Sequence, residues 1–149
     1  MSITSYDLGL ELFPHCNLNC SFCYQREFSK YRETYQNAIQ LPKSTYVRRC
    51  LSQIRKHQIE ADKLFFFGGE VFYDNNPSYI SAMKELIEYL NPSQINATSN
   101  LIFNLDHSDL FQYLLNRSGF SLCASYNPIH RYENSKQLDL FIHNVKQTY

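Results

Sequence analysis

Cys16, Cys20 and Cys23 stand in the run Cys16-Asn17-Leu18-Asn19-Cys20-Ser21-Phe22-Cys23. Thiols at this C-x3-C-x2-C spacing form a short loop that can hold three corners of a cubane iron–sulfur cluster, one thiolate per iron. The fourth iron then has no protein ligand. An iron with an open position can bind and activate a small molecule, whereas a cluster held by four cysteines normally only passes electrons.

Other thiol chemistries fit the spacing less well. A structural zinc site takes four ligands, and the spare candidates are His15, next to Cys16 in the chain, and the distant Cys50 and Cys123. Neither distant cysteine has a CxxC partner. Thiols without any ligand are the remaining alternative. A ferredoxin-type run needs a fourth cysteine followed by proline, and here Tyr24-Gln25 follows Cys23. A disulfide framework is disfavoured because five cysteines are an odd number, no signal peptide precedes them, and three are too close together to pair comfortably.

The elements that must position this loop follow from hydrophobic periodicity. Leu8, Leu10 and Leu12 alternate with Gly9, Glu11 and Phe13, the two-residue period of a strand, and Pro14 ends it and leads into the cysteine loop. Residues 42–57 read as a helix with Val47, Cys50, Leu51 and Ile54 on one stripe and Arg48, Arg49, Arg55 and Lys56 turned to water. Leu64 to Phe67 is a short apolar strand that stops at Gly68-Gly69. A second helix starts near Asn76-Pro77 and buries Ile80, Met83, Leu86, Ile87 and Leu90. Gln94 to Thr98 reads as a strand, and Asp106 or Ser108 caps a helix carrying Leu110, Phe111, Leu114 and Leu115. Phe120 to Ser125 is a fourth strand, followed from about Ser135 by a helix with Leu138, Phe141, Ile142 and Val145 at helical spacing. Four strand–helix units in series predict an α/β domain with a parallel sheet, right-handed crossovers and helices over its outer face. Neither a linker nor a low-complexity tract divides residues 1–149, so one domain is expected.

In parallel α/β proteins ligands bind where strands end, so the four strand ends are the places to look for chemistry. The first carries the cysteine loop. The second carries Gly68-Gly69-Glu70, where glycines let the backbone approach a ligand and a carboxylate sits at the rim; alone, the same residues describe a tight turn with an exposed glutamate. The third and fourth carry Thr98-Ser99-Asn100 and Ser125-Tyr126-Asn127, short polar groups that suit hydroxyl or carboxylate recognition or simply turn formation.

Taken together, C-x3-C-x-aromatic-C at Cys16, Cys20, Phe22 and Cys23, followed at the next strand end by Gly68-Gly69-Glu70, resembles the radical S-adenosylmethionine enzymes. The resemblance implies that Cys16, Cys20 and Cys23 ligate a 4Fe-4S cluster whose unique iron chelates the amino and carboxylate groups of S-adenosyl-L-methionine. It implies that Gly68 to Glu70 meet that amino group through backbone carbonyls, with Glu70 shaping the turn, and that Phe22 lies near the adenine, assisted by Tyr24. By position, Ser99, Asn100, Ser125 and Asn127 reach ribose or carboxylate oxygens. The implied activity is one-electron cleavage of the sulfonium to methionine and a 5'-deoxyadenosyl radical, which abstracts hydrogen from a peptide, protein or small-metabolite substrate. An electron donor such as a flavodoxin or ferredoxin would be a partner. The common core of the family has six strand–helix units in a partial TIM-like barrel; four can be counted here. A shortened core is then expected to be a minimal enzyme, a half completed by another subunit or by self-association, or a truncated, inactive product. A noncatalytic half-domain that holds a cluster or cofactor for a partner is the alternative.

Composition narrows the partners. Of 149 residues, 44 % are hydrophobic and 19 % charged, the mixture of a chain that buries a core rather than of a disordered one. Lys plus Arg and Asp plus Glu number 14 each, so long-range attraction to nucleic acid or to an anionic membrane is not supported. No apolar run approaches the ~20 residues that span a bilayer, and the beginning MSITSYD lacks the basic and apolar regions of a secretory signal, so a cytoplasmic protein is expected. Tyr24 to Asn37 carries Arg26, Lys30 and Arg32 with Tyr31 and Tyr35 interleaved, which reads as a solvated, partly helical connector or a surface for an electron donor, peptide or nucleic acid. His107, His130 and His143 lack metal-ligand spacing, and Cys50 and Cys123 read as small core residues.

Overall fold

Strands and helices alternate in the computed structural model, which describes residues 6–11, 16–18, 20–23, 41–127 and 131–148. The order is β1 (Tyr6–Glu11), α1 (Lys43–Lys56), β2 (Ala61–Phe67), α2 (Pro77–Leu90), β3 (Gln94–Ser99), α3 (Asp109–Leu115), β4 (Phe120–Ala124) and α4 (Ser135–Thr148). All strand pairs are parallel, and the sheet runs β1-β2-β3-β4. The protein is thus α/β with a four-stranded parallel sheet, β1 and β4 forming its edges. Sequential strands lie side by side, so the strand ends fall along one rim in chain order. No helix among the described residues is long and apolar enough to cross a membrane.

One face of the sheet is buried and the other is not. Register aligns Leu10 with Phe66 and Phe66 with Ala97, so these side chains share one face. Leu64, Phe66, Ile95 and Ala97 are buried there with Val47, Leu51 and Ile54 of α1 and with Met83, Leu86 and Ile87 of α2. On the opposite face Phe65 and Asn96 are half-buried, and Phe67, Thr98, Ser121 and Cys123 are exposed. Cys123 is therefore not the core residue expected of it. The alternation that sends Leu122 and Ala124 toward the core turns Cys123 the other way.

Local signals explain the helix boundaries. Asn76 Oδ1 accepts the Ser78 N–H at 2.9 Å, Pro77 opens α2, and Asn91 closes it in the left-handed region. Ser108 precedes α3 as expected, but its hydroxyl donates to the Phe72 carbonyl at 2.7 Å and ties α3 to the segment after β2; Asp106 does not cap. The apolar stripes are narrower than predicted, since Leu115 and Ile142 are 45 % and 41 % exposed. In α4 the buried positions are Phe141 and Asn144. Strand β2 begins at Ala61, three residues earlier than its apolar run, because Ala61 and Lys63 pair with Tyr6 and Asp7 across an irregularity at Asp62. Leu12, Phe13, Pro14 and the 24–37 segment lie outside the described residues, as does His130; His107 and His143 are exposed.

Candidate functional site

The turn after β2 sets the site's floor. Gly68 and Gly69 have φ of 85° and 63°, left-handed values that a side chain would strain, so the chain reverses here with bare backbone facing the space above the sheet. Glu70 follows, and it is not at the rim: its side chain is fully buried. The carboxylate accepts the Phe72 N–H at 3.2 Å and the Ser99 hydroxyl at 2.9 Å on Oε1, and the Asn100 N–H at 2.7 Å on Oε2. A carboxylate withdrawn from water needs such donors, and three of them fix β2's end against β3's end. Burial pushes the Glu70 carboxyl up to about 7, against the pull of those hydrogen bonds and of Lys43.

Lys43 opens α1, where a cation opposes the helix dipole. Its ammonium is 3.3 Å from Asp74 Oδ2 and lies over the Tyr73 ring at 4.0 Å, which holds it there. Burial lowers its pKa, while Asp74, Glu70 and Cys16 favour the charged form. Lys43 is thus electrostatically coupled to both Glu70 of the Gly-Gly-Glu turn and Cys16 of the cysteine loop.

The loop after β3 meets the cysteines. Asn100 Oδ1 accepts the Ile102 N–H at 2.8 Å, which orients the amide so that Nδ2 donates to Asn17 Oδ1 at 2.8 Å and to Cys16 Sγ at 3.5 Å. Asn17 Nδ2 in turn donates to the Ile102 carbonyl at 2.5 Å. Between these anchors Leu101 is buried with φ of 53°, a conformation costly for leucine, and Asn144 Nδ2 holds the segment by donating to the carbonyls of Leu101 and Phe103 at 2.9 and 2.8 Å. Burial pushes the Cys16 thiol up, while hydrogen bonds from the Leu18 backbone and Asn100 favour its thiolate. The Cys23 N–H donates to the Cys20 carbonyl at 3.2 Å, closing the loop into a turn.

Strand β4 supplies the last wall. Ser125 N–H donates to the Ser99 carbonyl at 2.9 Å, continuing the ladder one residue past the strand. Arg131 Nη2 donates to Ser125 Oγ at 2.9 Å, and its guanidinium carbon lies 5.4 Å from the Phe22 ring centroid. Its Nε is buried without an acceptor among the described residues. A guanidinium N–H in that state suits an incoming anion.

These walls enclose a cavity of about 280 Å³ lined by Cys16, Cys20, Phe22 and Cys23 on one side and by Gly68, Gly69, Thr98, Ser99, Asn100, Ser125 and Arg131 on the others. A larger surface cleft, about 690 Å³ between α3 and α4, has no thiol in its lining, so chemistry and not volume singles out the smaller one. The structure thus brings together the three cysteines, Phe22, both glycines, Ser99, Asn100 and Ser125. Glu70 supports the cavity from below without lining it. Ser99's hydroxyl is engaged by Glu70 and by the Leu101 N–H at 3.0 Å. Asn127 is absent from the lining, and Tyr24 lies outside the described residues. Sequence reasoning did not reach Arg131, Asn17, Lys43 or Asn144; Asn144 had one sequence signal, its place three residues after Phe141 on an apolar stripe.

None of the five cysteines forms a disulfide. No group of three or more His, Cys, Asp or Glu among the described residues has the arrangement that a metal ion would take. A cubane asks for something different, because each thiolate binds a different iron at a separate corner. Three thiols lining one wall, with no fourth in the lining, fit that donor set. Comparison of the chain with protein-family models, curated proteins and solved structures returned no match.

Proposed function

We propose that the chain is a radical S-adenosylmethionine enzyme built on a shortened, incomplete TIM-like barrel. One observation carries this reading: the cysteine loop, the Gly68-Gly69 turn, Asn100 and the Ser125–Arg131 pair line a single cavity at the ends of four parallel strands. Strand ends are where such sheets bind ligands, and three thiols with no fourth leave one metal position for the ligand.

Each wall then has a task. Cys16, Cys20 and Cys23 hold a 4Fe-4S cluster. The Gly68 and Gly69 backbone, which lines the cavity, receives the cofactor's amino group, since backbone carbonyls attract an ammonium. Arg131, steadied by Ser125, receives its carboxylate by a charge-assisted hydrogen bond. Phe22 offers a ring face near the adenine, and Thr98, exposed on the open face of the sheet, borders both this cavity and a second one of about 310 Å³ lined by Phe65, Phe67 and Cys123. When bound, the cluster and cofactor supply a one-electron cleavage that releases methionine and a 5'-deoxyadenosyl radical. The chain's own contribution is to orient the cofactor and to keep water from the reacting carbon. The substrate, a peptide, protein or small metabolite, enters from the open sheet face. A cytoplasmic setting with a flavodoxin or ferredoxin as donor suits exposed, reducible iron, and a second copy or another subunit would cover the edges β1 and β4.

Anaerobic reconstitution tests the proposal. About four irons and four sulfides per chain, with 5'-deoxyadenosine formed only when reductant and S-adenosylmethionine are both present, is the expected result. Cluster without cleavage would favour a noncatalytic module. Stoichiometric zinc with no iron–sulfur absorption would contradict the proposal.

A further inference from the structure

The hydrogen bonds around Asn100 connect parts of the site that the proposed function treats separately. Its backbone N–H is held by Glu70 Oε2 at 2.7 Å, and its side-chain Nδ2 reaches Cys16 Sγ at 3.5 Å. Asn100 is 4 % exposed, and its amide cannot turn over, since Oδ1 is already occupied by the Ile102 N–H. The strained Leu101 beside it is fastened by Asn144 on the far side. A donor held this firmly will stay on the sulfur through a change of charge there.

Resting on the proposed function, we infer that Asn100 is a positioning residue that raises the reduction potential of a cluster held by Cys16, and that Glu70 is the prop which keeps it on the sulfur. An added electron spreads partly onto the thiolate sulfurs. A hydrogen-bond donor stabilises the more negative, reduced state more than the oxidised one, so the couple shifts to easier reduction. Because the same Glu70 follows Gly68 and Gly69, the turn assigned to the cofactor and the donor on the cluster share one support. A displacement of that turn is therefore passed to the Cys16 sulfur through two hydrogen bonds.

Redox titration of the reconstituted protein, followed by the EPR signal of the reduced cluster, tests the inference in wild type, Asn100→Leu and Asn100→Asp. Leu removes the donor without adding charge; Asp keeps an acceptor for the Ile102 N–H and so preserves the loop if Leu does not. Both variants are expected to need a more negative potential, with the reduced-to-oxidised ratio at a fixed poise falling about tenfold, roughly 59 mV for a one-electron couple. Glu70→Gln should move the potential the same way by a smaller step. A variant with full iron and sulfide content and the wild-type potential overturns the inference while leaving the proposed function standing. A wild-type chain that takes up no cluster overturns both.

Discussion

Glu70 and Asn100 are 30 residues apart in the chain, yet the carboxylate of one accepts the backbone N–H of the other at 2.7 Å in the interior. The bond joins the ends of β2 and β3 at the point where the candidate site begins. Because Ser99 and Phe72 donate to the same carboxylate, Glu70 is the common acceptor for three groups that have no water to turn to.

Replacing Glu70 by alanine is therefore expected to destabilise the fold by roughly 3–5 kcal/mol, since three donors are stranded and the nearby Lys43 loses a compensating charge. Glu70→Gln should cost less, because one carbonyl acceptor remains. Urea denaturation at constant pH measures both. A loss below about 1 kcal/mol for the alanine variant would show that the donors find other partners.

The same residue gives the stability a pH dependence of definite sign. Its carboxyl titrates at about 7 in the fold against an ordinary value of 4.5, so between those values the folded chain binds a proton that the unfolded chain has released. The stabilisation is fully present below about pH 4.5 and is lost as pH rises through about 7, with a span of roughly 3 kcal/mol. Urea midpoints of the metal-free protein should fall across this window, and Glu70→Gln should flatten the change. A midpoint that rises across the window would reverse the assignment.

Arg131 provides a ligand-level prediction. Arg131→Met should weaken S-adenosylmethionine binding roughly 10- to 100-fold, the worth of a charge-assisted hydrogen bond, while binding of the decarboxylated analogue stays unchanged. Calorimetry under anaerobic conditions separates the two ligands. Equal losses for both would move Arg131 from the carboxylate to another part of the cofactor.

The cysteines divide into two groups by position. Serine at Cys16, Cys20 or Cys23 should abolish assembly of the cluster, whereas serine at Cys50, half-buried on α1, or at Cys123, exposed on β4, should leave iron content near that of wild type. Iron and sulfide analysis after reconstitution decides it. Loss of the cluster on replacing Cys123 would draw the open face of the sheet into the metal site.

What was legible in the sequence was whatever lies within one element. Ile80, Met83, Leu86 and Ile87 face one core because helical period alone puts them there, and the thiol spacing needs only a short loop. The orientation of Cys123 was within reach as well, since its neighbours Leu122 and Ala124 fix the alternation, yet as a strand cysteine it reads as a core residue and lies exposed. The burial of Glu70 was not, because its partners Ser99, Asn100 and Lys43 arrive from two other elements, and a Gly-Gly-Glu run reads equally well as an exposed turn. Arg131 was hidden for the same reason: nothing local says that a residue six positions after Ser125 returns to donate to it.

The most direct test of the central claim is the EPR spectrum of the reduced, reconstituted protein before and after S-adenosylmethionine is added. Three thiolates leaving one iron open to the cofactor predict a changed signal, with shifted g values, in wild type. An unchanged spectrum at saturating cofactor, from protein carrying a full complement of iron and sulfide, would contradict it.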